Sequence, residues 1–179
     1  MQKTFKSVGF VLKRKNYSEA DRILTLYTKH LGKVTVLAKG VRKPKSRKRG
    51  SIEIFSKMSF QATNAKGFDI VTEVQDIDNY ETLRKSIRKV ALAYYFLEVV
   101  DKLTKDGEEN TGLYMLLEEY FDRLKSTGKL KHLQESFSKD ILVLLGYWPQ
   151  GKKLTDSISA IKQVSERDLS SVRVGGRIV

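Results

Sequence analysis

The sequence predicts an α+β protein, with a small five-stranded β-barrel first and an α-helical bundle second. Three observations carry this reading. From Val8 to about Val74, apolar residues recur at every second position in short runs. From Glu81 onward they recur at every third or fourth position instead. Between two of the strand-like runs lies Lys39–Gly50, where seven of the eleven residues from Lys39 to Arg49 are cationic and none is acidic.

Val8, Phe10 and Leu12 alternate with Gly9, Val11 and Lys13, which predicts a first strand ending near Arg14 and broken by Lys15–Glu19. Arg22–Thr28 alternates through Leu24 and Leu26. The glycine in Lys29-His30-Leu31-Gly32 then signals a hairpin to a strand through Val34, Val36 and Ala38. Beyond the basic loop, Ile52, Ile54, Met58, Phe60 and Ala62 fall on one face at a spacing of two. Asn64–Gly67 turns the chain into a last strand through Phe68, Ile70 and Val74. Five short strands with no long helix between them must close or stack to hide their edges, and a small barrel is the economical answer. An OB-type barrel is expected, although an SH3-like barrel leaves much the same trace.

The period changes over Asp76–Tyr80. A long amphipathic helix is expected from Glu81 to near Asp106-Gly107, with Leu83, Ile87, Val90, Ala91, Tyr94, Leu97 and Val100 as its apolar positions. Asn110 or Thr111 caps a second, which carries Leu113, Leu117, Tyr120 and Phe121 and stops at Thr127-Gly128. A third runs from Lys129 to Leu145 and is ended by Gly146-Tyr147-Trp148-Pro149, since proline cannot continue a helix. A fourth spans Thr155 to about Leu169, before an extended or loose tail from Ser170 to Val179. The expected domains are therefore 1–79, an OB-fold nucleic-acid-binding domain, and 80–179, an α-helical domain with a short C-terminal tail.

Charge separates the two halves. The formal net charge is +13, yet residues 1–80 hold 17 basic and 7 acidic side chains against 17 and 14 in residues 81–179. Crowding cations into one loop costs free energy by self-repulsion, and an external polyanion relieves it. Nucleic acid is the commonest such polyanion. The absence of cysteine excludes disulfides, thiolate catalysis and Cys-ligated metal sites. The N-terminus has no apolar run of signal-peptide length and no stretch approaches eighteen apolar residues, so a soluble intracellular protein is expected.

Enzyme chemistry finds little support. His30 and His132 have no Ser or Asp partner by spacing, and Glu108-Glu109 and Glu118-Glu119 read as solvated acidic pairs rather than metal ligands. No GxxxxGK[ST] loop and no GxGxxG after a strand is present. The basic constellation is stronger. Lys13, Arg14, Arg22 and Lys33 belong to the strands, and Lys39, Arg42, Lys43, Lys45, Arg47, Lys48 and Arg49 to the loop. Gathered on one side of a barrel, these side chains contact phosphates and supply affinity without sequence preference. Tyr17, Tyr27 and Phe55 are the aromatic residues placed to stack on bases, each with core burial as the competing role. Gly40 and Gly50 bracket the loop where its backbone turns.

Several segments resemble a known family. Val8-Gly9-Phe10-Val11-Leu12-Lys13 and Tyr17-Ser18-Glu19-Ala20-Asp21-Arg22-Ile23-Leu24-Thr25-Leu26-Tyr27-Thr28 are similar to the opening of the bacterial recombination mediator RecO family. Gly32-Lys33 and Ala38-Lys39-Gly40-Val41-Arg42-Lys43-Pro44-Lys45-Ser46-Arg47 resemble its GK…AKGxRxxxSR signature, with Gly50 and Phe55 as its continuation. Leu144-Leu145-Gly146-Tyr147-Trp148-Pro149 is similar to its LLGYxP segment, and Glu166–Arg173 to its C-terminal tail. The resemblance implies an OB-fold domain joined to a helical domain. It implies binding of single- and double-stranded DNA, strand annealing, and help in loading a recombinase at gaps coated by single-strand-binding protein. Implied partners are RecR, the tail of single-strand-binding protein and, in some members, RecF, in a cytoplasmic, nucleoid-associated setting without a membrane. Lys39, Arg42 and Arg47 take an implied DNA-contact role, while Glu19 and Asp21 match the pattern as acids that fix a strand or meet a partner. Many relatives carry a four-cysteine zinc module after the GYxP segment. Here Gln150-Gly151-Lys152-Lys153 runs almost directly into the last helix, so zinc is not carried over and no cofactor is expected. Two other readings stay open: an RNA-binding OB protein, and a non-enzymatic protein-interaction module.

Overall fold

The computed structural model describes residues 4–46, 48 and 50–165. Five strands, β1 (Thr4–Tyr17), β2 (Asp21–Thr28), β3 (Gly32–Ala38), β4 (Lys57–Thr63) and β5 (Asp69–Asp78), close into a barrel in the order β1-β2-β3-β5-β4. All neighbours are antiparallel except β3 and β5, which run parallel where Val36 faces Asp69 and Leu37 faces Ile70. This closure is that of an OB-type barrel and decides between the two small barrels that the alternation leaves open.

β1 runs three residues past its expected end. Lys15-Asn16 interrupts the apolar alternation, but Lys15, Asn16 and Tyr17 are each paired, to Ile23, Arg22 and Asp21 of β2. Backbone hydrogen bonding, not apolar alternation, extends it. A bulge between Val11 and Lys13 shifts the register. Inside the barrel, Val11, Leu24, Leu26, Val36, Met58, Phe60 and Val71 form the core. Phe10 is buried too, outside that cluster, stacked on Tyr80 with centroids 6.1 Å apart.

Ile52 and Ile54 are not part of β4, contrary to their spacing. β4 starts at Lys57, and Ile52 reaches the core from a turn, together with Val41. The segment between β3 and β4 thus adds two apolar side chains to the barrel core. Two backbone hydrogen bonds hold it to β1, from Phe55 N to the Val11 carbonyl (2.9 Å) and from Val11 N to the Ser56 carbonyl (3.0 Å).

The helices are α1 (Glu81–Arg84), α2 (Ile87–Leu103), α3 (Thr111–Ser126), α4 (Leu130–Leu144) and α5 (Ser157–Ser165). The single long helix expected from Glu81 is split, because Ser86 adopts extended dihedrals (φ −126°, ψ 112°) and its side chain accepts the Lys89 amide at 3.5 Å. Phe96 is the centre of an aromatic cluster with Tyr95, Tyr120, Phe121 and Phe137. The expected continuation of the last helix to Leu169 and the tail from Ser170 lie outside the described residues. No helix among the described residues is long and apolar enough to cross a membrane.

The chain divides into two compact units, Met1–Tyr80 with Lys105–Thr111, and Glu81–Thr104 with Gly112–Val179. The first therefore recruits a strap from between α2 and α3. Gly107 N donates to the Lys33 carbonyl at 2.8 Å, the Tyr27 hydroxyl donates to the Asn110 carbonyl at 3.4 Å, and the Thr111 hydroxyl donates to the Lys29 carbonyl at 3.3 Å. Gly32 is the contact that demands glycine. Its φ is +63°, and a Cβ there would lie 2.1 Å from the Glu108 carbonyl oxygen.

Candidate nucleic-acid interface

The pairing register gathers one rim of the barrel. Tyr17 at the end of β1 faces Asp21 at the start of β2, Arg22 faces Ala38 at the end of β3, and Leu37 faces Ile70 at the start of β5. The first part of the basic loop leaves from this rim and is tied back to it. Gly40, with φ +68°, donates its amide to Asp21 Oδ1 at 2.8 Å, and Arg42 N donates to the Ala20 carbonyl at 2.9 Å. The Arg42 guanidinium reaches the Ser18 carbonyl at 3.2 Å. Lys48 Nζ donates to the Thr72 carbonyl at 2.7 Å and the Val71 carbonyl at 3.3 Å. Two tight turns, Lys43 N to the Gly40 carbonyl and Ser46 N to the Lys43 carbonyl, keep the stretch compact.

Lys39, Arg42, Lys43 and Lys45 are exposed on this tethered loop. A tethered backbone carrying exposed cationic heads suits a phosphate chain, because the backbone has little ordering entropy left to lose on binding. Arg14 and Arg22 stand differently. Both guanidiniums reach Glu53 Oε1, Arg22 at 3.4 Å, and Arg22 Nε also donates to Asn16 Oδ1 at 3.3 Å. Glu53 therefore offsets part of the rim's charge. Lys13 is exposed on β1, across from Thr25. Arg47 and Arg49 lie outside the described residues.

Lys33 does not join this group. It sits near the other end of β3, about 17 Å along the strand from Ala38 at 3.3 Å per residue. Its ammonium is 3.7 Å from Asp106 of the strap. Lys33 and the rim cations thus occupy opposite ends of the barrel, which sequence order conceals.

Of the three aromatic residues named for stacking, only Tyr17 is accessible. Tyr27 and Phe55 are buried (0% and 1% exposed), and burial, with Glu108 nearby, pushes the Tyr27 hydroxyl up to about 12. Tyr17 is 47% exposed and meets Phe68, itself 36% exposed, edge to face with centroids 6.2 Å apart. Phe68 lies in the turn just before β5, not in the strand the alternation predicts. The signal for a rim position was Lys66-Gly67-Phe68, an aromatic residue directly after a turn glycine, here at φ +94°. His30 is exposed, with Nδ1 3.7 Å from Glu109, and His132 is exposed on α4. Glu119 pairs along α3 with Arg123 at 3.5 Å.

The comparisons agree with the two halves. The family model described as "Recombination protein O N terminal" matches residues 1–80, and "Recombination protein O C terminal" matches residues 84–165. The chain belongs to the recombination protein O family, RecO. Among curated relatives, DNA repair protein RecO of Pelotomaculum thermopropionicum is 35% identical over 82% of this chain and 57% of its own length. That of Moorella thermoacetica is 32% identical over 82% of this chain and 54% of its own. That of Alkaliphilus metalliredigens is 28% identical over 97% of this chain and 70% of its own. The chain thus spans little more than half the length of the first two relatives.

Proposed function

We propose that this chain acts in DNA repair as a non-enzymatic DNA-binding recombination mediator. In this reading it anneals complementary strands and helps load a recombinase onto single-stranded DNA coated by single-strand-binding protein. The barrel domain, residues 1–79, grips DNA, and the helical domain, residues 80–179, carries partner contacts. The partners in this reading are RecR, the tail of single-strand-binding protein and RecF. Family membership and the printed names of the relatives support the repair role. The observation that carries the DNA-binding part is the convergence of Lys39, Arg42, Lys43 and Lys45 on a loop tied to a barrel rim.

Annealing follows from the same charges. Two DNA strands repel through their phosphates, and a cationic rim that neutralises both lowers that repulsion as their bases meet. The test is the annealing rate of complementary oligonucleotides with the parent protein and with Arg42, Lys43, Arg47 and Arg49 replaced by alanine. The expected result is acceleration by the parent and its loss in the variant; equal rates would remove the loop from the mechanism.

A further inference from the structure

We infer that Tyr17 and Phe68 form a base-stacking step that makes the rim prefer single-stranded over duplex DNA. The inference rests on the DNA-binding reading above and assigns a discriminating element within it. Two observations carry it, the first of them independent of the loop's charge.

The first is geometric. Tyr17 ends β1 and Phe68 lies in the turn between β4 and β5, fifty-one positions apart in sequence, yet their rings meet edge to face, 73° between planes. The turn that presents Phe68 is fixed by Gly67 in the left-handed region and by Asn64 Nδ2 donating to Asp69 Oδ1 at 2.9 Å. Both rings stay substantially exposed, 47% and 36%, although the barrel core nearby accepts Phe60 and Phe5. An aromatic pair held in water forgoes the burial that usually recruits such residues. An edge-to-face pair also leaves ring faces uncovered, which is the surface a nucleobase stacks on.

The second is the placement of cations on both sides. Tyr17 adjoins Ser18, whose carbonyl is held by the Arg42 guanidinium at 3.2 Å. Phe68 leads into β5, where the carbonyls of Val71 and Thr72 are held by Lys48 Nζ. A phosphate chain tracked by the loop therefore runs beside the rings, with its bases within reach of them. Only unpaired bases can use that contact. In a duplex each base is already stacked above and below, so its faces are closed to a side chain, whereas the cations serve either form equally.

The experiment compares a labelled oligothymidine with a labelled blunt duplex of the same length, titrated with the full chain at two salt concentrations. Tyr17→Ala/Phe68→Ala is expected to weaken oligothymidine binding by at least about tenfold and duplex binding by less than about twofold. Tyr17→Leu/Phe68→Leu keeps apolar bulk at the rim without a π face, and it is expected to show the same selective loss with an unchanged melting temperature. Tyr17→Phe/Phe68→Tyr is expected to restore parental binding to both probes. Equal losses on the two probes, or no loss on either, would overturn the stacking step while leaving the cationic rim intact. Failure of the parent protein to bind either probe would overturn the DNA-binding reading itself.

Discussion

The two ends of the barrel are built from similar residues and do different things with them. At the strap end, Lys33 lies beside Asp106, Gly32 leaves room for Glu108, and His30 approaches Glu109. Its cation meets acid drawn from a distant part of the chain. At the loop end, the carbonyls of Ser18, Val71 and Thr72 and the acids Asp21 and Glu53 hold the backbone and some heads in place, while Lys39, Lys43 and Lys45 stay exposed. The difference teaches that a cation's role is set by its partner rather than by its presence. A lysine with an acid beside it, as at Lys33, is engaged within the barrel, whereas exposed lysines on a tethered loop are the ones the proposed DNA grip relies on.

That contrast can be broken experimentally, and the loop end should respond most. Arg42→Ala/Lys43→Ala/Lys45→Ala is expected to weaken single-stranded DNA binding on the order of a hundredfold in low salt, since three phosphate contacts are removed. Binding within threefold of the parent would show that exposure at this rim is incidental. At the strap end the large effect should be on stability. Gly32→Ala forces a Cβ against the Glu108 backbone at a positive φ, and should cost at least about 2 kcal/mol in denaturant unfolding. Its DNA affinity, measured where the protein remains folded, should be unchanged.

How much of this was legible beforehand follows from where each signal lives. The order of strands and helices was readable because Leu24, Leu26, Val34 and Val36 on one side, and Leu113, Leu117, Tyr120 and Leu124 on the other, keep clean periods. The split at Ser86 was hidden, because a cap is a matter of local dihedrals while Leu83 and Leu92 still fit a helical stripe. Ile52 imitated a strand residue because a plug and a strand bury the same side chains. The strap is a long-range contact that no local pattern encodes, so sequence order alone groups Lys33 with cations at the opposite end. Glu53 is legible only through Arg14 and Arg22, which it meets, and the pairing of Phe68 with Tyr17 only through the fold, although the turn glycine before Phe68 signals its rim position.

Two smaller effects sharpen the comparison. Glu53→Gln keeps a side-chain acceptor for Arg14 and Arg22 but removes the negative charge, so DNA binding should tighten by about threefold in low salt. Weaker binding would mean that Glu53 acts chiefly by holding the loop. Lys33→Ala should change DNA affinity by less than about twofold, because its ammonium lies at the strap end. A loss as large as that of the rim variants would place DNA at both ends of the barrel.

The most direct measurement is the slope of log affinity against log salt for labelled single-stranded DNA, taken for the parent, the Arg42/Lys43/Lys45 triple-alanine variant and Lys33→Ala. Counterion release predicts a steep parental slope, a shallower one by about 2 for the triple variant, and an unchanged one for Lys33→Ala. A single common slope for all three proteins would contradict the assignment of the loop end as the DNA-gripping surface.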